Sequence, residues 1–324
     1  MLTMTTHQVR RRFLHSLFLS FFLFSFSCAA DLPSDANQQA MLLLETIKDI
    51  KGSLVKHKVE SETLSDHWPL RNRDTAKREI IKAAENNLRR FREKDTQKRR
   101  WNSMVITGAA GSGKTRLCNE SFAWIESAVC KETSRVLSVF ITFLNGEQLT
   151  SADAVEGVDT STQASIAVGI RVASKLFPLL GLCGSLTVRS LRAGLGKRQV
   201  LCELPTVMRA CSLHLEAAAL QHPVWVTMVL DEALYAEHPQ ETGAPQFWNS
   251  MMSAIRQYMI PGAERAPCLE DNVVLFPIIS STWSVERNKH RLDSWNKIFA
   301  PLPPLSPDSV AFFVGQPDKE HGRV

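Results

Sequence analysis

Residues 104–115 read MVITGAAGSGKT: an apolar run, then a loop with three glycines, then a lysine and a threonine. The segment at residues 108–115 matches the pattern GxxxxGK[ST] in full. Glycine allows the backbone to adopt positive φ and to approach a ligand closely, and the first N–H groups of a following helix point at a bound anion. Because the apolar run predicts a strand and residues 115–129 predict a helix, the motif has the context that a phosphate-binding loop needs.

The residue types of this loop define roles around a nucleoside triphosphate. Lys114 is expected to lie along the β- and γ-phosphates, and the Thr115 hydroxyl is expected to be a ligand of Mg²⁺. The predicted nucleotide-binding residues are the motif and the residue that follows it: Gly108, Ala109, Ala110, Gly111, Ser112, Gly113, Lys114, Thr115 and Arg116.

A pair of acids follows a second apolar run, because residues 224–230, VWVTMVL, lead directly into Asp231 and Glu232. Asp231 is expected to hold Mg²⁺ through a water molecule, and Glu232 is expected to polarise the attacking water as a general base. The alternative interpretation of so short a pattern is an ordinary junction between a strand and a loop.

Hydroxyl side chains follow another apolar run, and Ser280, Ser281 and Thr282 are candidate sensors of the γ-phosphate. Capping of a strand end by hydroxyl groups is the alternative interpretation of these residues. Arg256 and Arg265 are candidate arginine fingers that would act across a subunit interface, with solvation on a helix surface as the alternative.

Strand-like and helix-like segments alternate along residues 101–305, which predicts a parallel sheet in a three-layer α/β/α fold. The predicted strands are residues 104–106, 136–144, 224–230 and 273–280, and the predicted helices are residues 115–129, 165–177, 204–220 and 247–259. Six of the seven cysteines lie beyond residue 100 without paired spacing, and they predict reduced core residues and no zinc site. They are Cys118, Cys130, Cys183, Cys202, Cys211 and Cys268.

The composition excludes several classes of protein for the chain as a whole. Its 324 residues are 44% hydrophobic and 22% charged, unlike a disordered chain, a collagen or a multi-span membrane protein. Arginines at residues 10–12 precede an apolar run at residues 13–26 and small residues at 27–30, which predicts a secretory signal peptide over residues 1–30. An uncleaved signal anchor is one alternative, and a start at Met41, giving an intracellular product, is another.

Residues 31–100 predict a helical, basic segment ahead of the nucleotide domain. Residues 41–58 have helical periodicity, and residues 71–100 carry twelve Lys or Arg against five Asp or Glu, within a net charge of +5 for the whole chain. One interpretation is that the second helix packs on the next domain and its basic outer face is simply solvated. The alternative is that this face binds nucleic acid or a protein partner. The expected buried stripe of this helix is Ile80, Ile81, Ala84, Leu88 and Phe91.

Together, GAAGSGKT, the acids after VTMVL and the SST after the fourth strand resemble the additional-strand P-loop ATPases, which include the AAA+ and STAND proteins. Residues 299–310 look like the fifth strand and the start of the helical lid of that group, so residues 306–324 are expected to be a truncated lid or a tail. Residues 142–147, TFLNGE, and 167–171, AVGIR, are similar to the ATPase modules of Crinkler effectors and retrotransposon hot spot proteins. The resemblance implies ATP and Mg²⁺ as ligands.

The sequence thus predicts Mg²⁺-dependent binding of ATP and its hydrolysis, by in-line attack of water, to drive a conformational switch. A truncated lid would make hydrolysis slow. The first alternative is a nucleotide-binding module without turnover, which contacts protein, a second copy of itself or nucleic acid, the last through residues 71–100. The second alternative is a kinase.

Overall fold

The computed structural model describes residues 32–50, 73–95, 97, 100–108, 112–143, 155–232, 244–259, 267–281 and 296–302. The predicted leader and tail, and the site candidates Ala109, Ala110, Gly111, Arg265 and Thr282, lie outside these residues. Among the helices within these ranges, none combines the length and the apolar character needed to cross a bilayer.

The described residues form five strands and eight α-helices. The strands are β1 (Asn102–Thr107), β2 (Arg135–Thr142), β3 (Val224–Asp231), β4 (Val273–Ser281) and β5 (Asn296–Pro301). The helices are α1 (Ala36–Asp49), α2 (Asp74–Arg92), α3 (Lys114–Val129), α4 (Thr160–Leu179), α5 (Val188–Leu195), α6 (Leu204–His214), α7 (Ala244–Met259) and α8 (Pro267–Glu270). Short 3₁₀ segments occur at Cys130–Glu132, Gly196–Cys202 and Ala217–Ala219.

All five strands form one parallel sheet in the order β2-β3-β4-β1-β5. Met104 of β1 pairs with Ile278 of β4 on one side and with Ile298 of β5 on the other. The strand β4 therefore separates β1, which leads into the glycine loop, from β3, which leads into the two acids. Because the strands are parallel, the carboxyl ends of these three strands meet at the same edge of the sheet, where ligands bind in open α/β folds.

Helices cover the sheet in two groups. In one group, α2 and α3 pack on each other and on the sheet. In the other group, α4 and α7 pack on each other, α4 also packs on β2, and α7 also packs on β4. Helix α6 packs on α4, and α1 packs on α6. Every residue of β1 and β3 is buried, as expected for strands covered on both faces. The predicted three-layer α/β/α fold with a parallel sheet is confirmed.

The first described helix, α1, begins earlier than the periodicity of residues 41–58 predicts. Asp35 caps it by accepting a hydrogen bond from the backbone N–H of Gln38 at 3.2 Å, so that the helix starts at Ala36. The helix ends at Asp49, and residues 51–58 of the prediction lie outside the described part of the chain. Near its start, Asn37 accepts a hydrogen bond from Arg209 of α6 at 2.7 Å, which ties the two helices together.

The basic helix α2 packs its apolar stripe on the sheet and on α3, while most of its charged side chains are exposed. Ile80, Ala84, Leu88 and Phe91 are buried as predicted, and Ile81 is half-buried. Buried amide groups fix the position of α2 along β1. The side chain of Asn87 donates to the backbone carbonyl of Asn102 at 2.9 Å and accepts from the backbone N–H of Asn102 at 2.8 Å. These bonds satisfy polar groups that would otherwise be costly to bury.

The helices of the second covering layer differ from those predicted in their bounds and in number. Helix α4 starts at Thr160 rather than residue 165, because Asp159 caps it by accepting from two backbone N–H groups. The helix predicted over residues 204–220 ends at His214, and Glu216 then has a left-handed φ of 51°. Helix α5, which is only eight residues long, was not predicted, although Thr187 forms a capping box in front of it.

Four of the six described cysteines are core residues, as expected, and none of the six is in a disulfide bond. Cys118, Cys202, Cys211 and Cys268 are buried, and burial raises the pKa of the Cys211 and Cys268 thiols to about 12. Cys130 is exposed and Cys183 is half-buried, so the prediction of a core position is wrong for these two, which lie at or beyond helix ends.

Gly169 of α4 lies directly against the backbone of Cys202, in the segment Gly196–Cys202. A Cβ atom at this position would lie 1.8 Å from the carbonyl oxygen of Cys202, a backbone atom that can move only with the start of α6. We expect Gly169→Ala to lower the free energy of unfolding by about 2–3 kcal/mol, as overpacking does in tight cores. Urea unfolding measures this change.

Gly184→Ala is the matched control for that substitution, because nothing lies within 4 Å of a Cβ built at Gly184. The control should unfold at nearly the urea concentration of the wild-type protein. Equal stability of the two variants would show that α4 and the Gly196–Cys202 segment can separate at little cost.

Candidate functional site

The loop after β1 is described at Gly108 and from Ser112 onward, and two of its glycines lie in this part. Gly113 has a φ of 84° and is the N-cap of α3, a conformation that glycine adopts without strain. A Cβ at Gly108 would lie 2.5 Å from the hydroxyl oxygen of Ser112 across the loop. The shape of the loop therefore favours glycine at residue 113 and leaves little room for a side chain at residue 108, and the N-terminus of α3 opens at the carboxyl edge of the sheet.

Lys114 is buried at the start of α3 and folds back over the loop. Its Nζ donates a hydrogen bond to the carbonyl oxygen of Gly108 at 3.2 Å. The same ammonium lies 3.5 Å from Oε1 of Glu232, and both side chains are buried. The cation of the loop and the second acid after β3 are thus in direct contact.

Asp231 joins three elements of the site at the end of β3. Thr115 of α3 donates to its Oδ2 at 2.9 Å, and Ser280 of β4 donates to its Oδ1 at 2.6 Å. The Asp231 residue is only 4% exposed, whereas Thr115 is exposed at the same edge. Residues far apart in the sequence therefore form one hydrogen-bonded group with an open side.

Glu232 has an unusual backbone conformation. Its φ is 51°, in the left-handed region, which is unfavourable for a residue with a Cβ. The residue is 6% exposed, and its carboxylate contacts Lys114. Strained conformations of this kind are concentrated at functional sites, where the surrounding structure holds a side chain in a set direction.

A buried thiol stands near the carboxylates. Cys118 of α3 is fully buried, and its pKa is raised well above the ordinary value of 9.0, first by burial and then by the charge of Asp231. The thiol is therefore neutral at physiological pH and adds no charge to the site.

The oxygen atoms grouped at Asp231 are suitable ligands for a hard divalent cation. They are a carboxylate and two hydroxyl oxygens, the ligand type that Mg²⁺ prefers. In addition, the hydroxyl oxygen of Ser112 is buried in the loop and has no hydrogen-bond partner among the described residues. Buried polar atoms are normally paired, so this one is available to a ligand of the loop.

The remaining predicted residues are placed as follows. Arg116 is half-buried on α3, 3.7 Å from Glu120 one turn along, so this ion pair lies along the helix. Arg256 is half-buried in the last turn of α7 and takes part in none of the contacts above. Ser281 ends β4 one residue after Ser280, and its side chain lies outside the described atoms.

One contact of the loop is absent from the sequence prediction. Arg73, immediately before α2, donates from Nη2 to the carbonyl oxygen of Ser112 at 2.8 Å. The two residues are 39 positions apart and belong to no common motif. Only the basic character of residues 71–100 pointed to this region, and that signal does not single out Arg73.

No protein-family model matches the chain, and no curated protein matches it significantly. Among solved structures, the Aeropyrum pernix ORC2 protein in ADPNP–ADP complexes is similar at 15% identity and a TM-score of 0.39, covering 72% of this chain and 48% of that one. The Aeropyrum pernix ORC1 protein in complex with DNA is similar at 14% identity and a TM-score of 0.38, covering 76% and 49%. The chain thus spans about half the length of these proteins.

The class of fold follows from the chain's own topology and loop. A parallel sheet with β4 inserted between the loop strand and the acid strand, together with the loop at residues 108–115, defines the additional-strand P-loop NTPase fold. The narrower resemblance to Crinkler and retrotransposon hot spot ATPase modules stays a prediction.

Proposed function

We propose that the protein binds ATP with Mg²⁺ and hydrolyses it, and that nucleotide occupancy changes its conformation. The observation that carries this proposal is the group formed by Thr115, Asp231 and Ser280 beside Lys114. It brings hydroxyl, carboxylate and ammonium groups to the opening of a loop shaped for an anion. ATP, rather than another nucleotide, is proposed from the resemblance of the motifs alone.

The phosphates would be bound by the loop and by Lys114. Backbone N–H groups at the start of α3 point to the anion, and the Lys114 ammonium neutralises the β- and γ-phosphates. Thr115 and Asp231 would hold Mg²⁺, which when bound would supply positive charge against that of the phosphates. Ser280 keeps the Asp231 carboxylate in a fixed orientation through its 2.6 Å hydrogen bond.

Hydrolysis would use Glu232 as the general base. The oxygen of a water molecule attacks the γ-phosphorus, the bond from this phosphorus to the bridging oxygen breaks, and ADP leaves. The Glu232 carboxylate accepts the proton of the water, and Lys114 stabilises the charge of the transferred phosphoryl group. In the structure these two residues contact each other, so a bound triphosphate competes with Glu232 for the ammonium and frees the carboxylate.

The full-length protein tests this proposal through two measurements, ATP affinity by calorimetry and phosphate release in single turnover. We expect ATP to bind in the presence of Mg²⁺ and phosphate to be released, with release abolished by EDTA. Tight binding without release would favour the alternative of a nucleotide-dependent switch without turnover. Failure to bind any nucleoside triphosphate would overturn the proposal.

Binding of nucleic acid through α2 stays a prediction. The exposed face of α2 carries Arg78, Lys82 and Arg89, but acidic residues such as Glu85 and Glu93 are exposed beside them. Lys77 lies over the ring of Trp124, 5.3 Å from its centre, so part of the basic charge is used in packing against α3.

A further inference from the structure

Arg73 links the basic N-terminal segment to the phosphate loop. The residue is only 4% exposed, and its Nη2 donates to the carbonyl oxygen of Ser112 at 2.8 Å. Ser112 directly precedes Gly113, the left-handed N-cap of α3, and Lys114 follows. The contact thus reaches the part of the loop where the chain turns into the helix that presents its N–H groups to an anion.

The direction of this carbonyl matters for binding. An anion at the loop is attracted by N–H groups and repelled by carbonyl oxygens, so a loop binds phosphate only when its carbonyls point away from the ligand. A guanidinium that donates a hydrogen bond to the carbonyl oxygen of Ser112 holds the peptide unit between Ser112 and Gly113 in one orientation. Its charge also makes this hydrogen bond stronger than one between neutral groups.

The position of Arg73 is itself fixed by the packing of α2. The backbone carbonyl of Arg73 accepts the first hydrogen bond of the helix, from the N–H of Lys77 at 2.8 Å. Further along α2, Asn87 exchanges hydrogen bonds with the backbone of Asn102 in β1, the strand that leads into the loop. Residues at the start and the middle of α2 are therefore hydrogen-bonded to the loop and to the strand that leads into it, and burial lowers the pKa of Arg73 without removing its charge at neutral pH.

We propose that Arg73 is a positioning residue for nucleotide binding, which orients the phosphate loop through the Ser112 carbonyl. This inference rests on the proposed function of the loop. It assigns a role in the nucleotide site to the segment before the domain, in addition to any contact that the exposed face of α2 makes.

The test uses full-length Arg73→Met and Arg73→Lys variants, with Arg78→Met as the control. Methionine keeps the alkyl packing of Arg73 and removes the donor, whereas lysine keeps a charged donor. Arg78 is an exposed arginine of α2. The structure describes one hydrogen bond of its side chain, to Thr75 at 3.3 Å.

Calorimetry with ATP and Mg²⁺ should give a Kd about tenfold higher for Arg73→Met, which corresponds to the loss of one charged hydrogen bond. Arg73→Lys should recover most of this loss, and Arg78→Met should bind as the wild type does.

Hydrogen exchange in the ligand-free protein separates this inference from the proposed function. Amides of residues 112–115 should exchange faster in Arg73→Met than in the wild type or in Arg78→Met, whether or not ATP binds. If the wild type binds no ATP, the proposed function fails, and faster exchange in Arg73→Met would still show that Arg73 holds the loop. Unchanged exchange at these amides, or a wild-type Kd in Arg73→Met, would overturn the role of Arg73.

Discussion

Glu232→Gln is expected to lower the single-turnover rate of ATP hydrolysis by about 10²–10⁴-fold, the usual contribution of a general base. The amide has nearly the shape of the carboxylate and cannot accept the proton of the attacking water. Because the Thr115–Asp231 hydrogen bond does not involve Glu232, the phosphate loop should still bind ATP in this variant. Phosphate release and ATP affinity, measured on the same preparation, check the two halves of the prediction.

Glu216→Gln is a matched control for that substitution. Glu216 has the same left-handed φ of 51° as Glu232, but it is exposed and lies before the 3₁₀ segment Ala217–Ala219. The control should hydrolyse ATP at the wild-type rate. A Glu232→Gln variant that released phosphate as fast as the wild type would remove Glu232 from the mechanism.

Lys114→Ala is expected to raise the Kd for ATP by about 100-fold or more, because the ammonium would make charged hydrogen bonds to two phosphates. The substitution also removes a buried cation from beside the Glu232 carboxylate, which should lower the free energy of unfolding. Calorimetry measures the first effect, and urea unfolding without nucleotide measures the second.

A double variant, Lys114→Ala with Glu232→Gln, separates the two effects. With both charges removed, the stability should return toward that of the wild type while ATP binding stays lost. Lys131→Ala, at an exposed lysine in the 3₁₀ segment after α3, controls for the loss of one positive charge. Wild-type affinity in Lys114→Ala would contradict the assignment of the loop.

The layers of the fold were predictable because its buried strands are continuous apolar runs. Residues 224–230 are such a run, and the structure buries the whole of β3. Helix ends were less predictable, since they depend on caps: Asp35 and Asp159 extend their helices beyond the apolar pattern. Gly169 belongs to a stretch that resembled a functional motif, and in the structure it serves close packing against Cys202.

The candidate site was predictable where its residues follow strands. Thr115 follows β1 and its loop, Asp231 ends β3, and the parallel sheet brings Oγ1 of Thr115 to 2.9 Å from Oδ2 of Asp231. Ser280 was one of three hydroxyl candidates, and the sequence could not show that its hydroxyl donates to Asp231. Arg73 was not predictable, because its contact with Ser112 depends on how α2 packs rather than on any spacing in the sequence.

The place of β1 in the sheet has a consequence for synthesis on the ribosome. Its neighbours β4 and β5 are both encoded in the last third of the chain, although the glycine loop follows β1 directly. While translation is still before residue 273, β1 has neither partner strand, and Thr107 has not gained its hydrogen bond from the N–H of Leu302. Non-local pairing of this kind forms slowly. A nascent chain should therefore complete the sheet around β1, and with it the proposed nucleotide site, only after residues 273–301 have left the exit tunnel, long after residues 108–115 have been made.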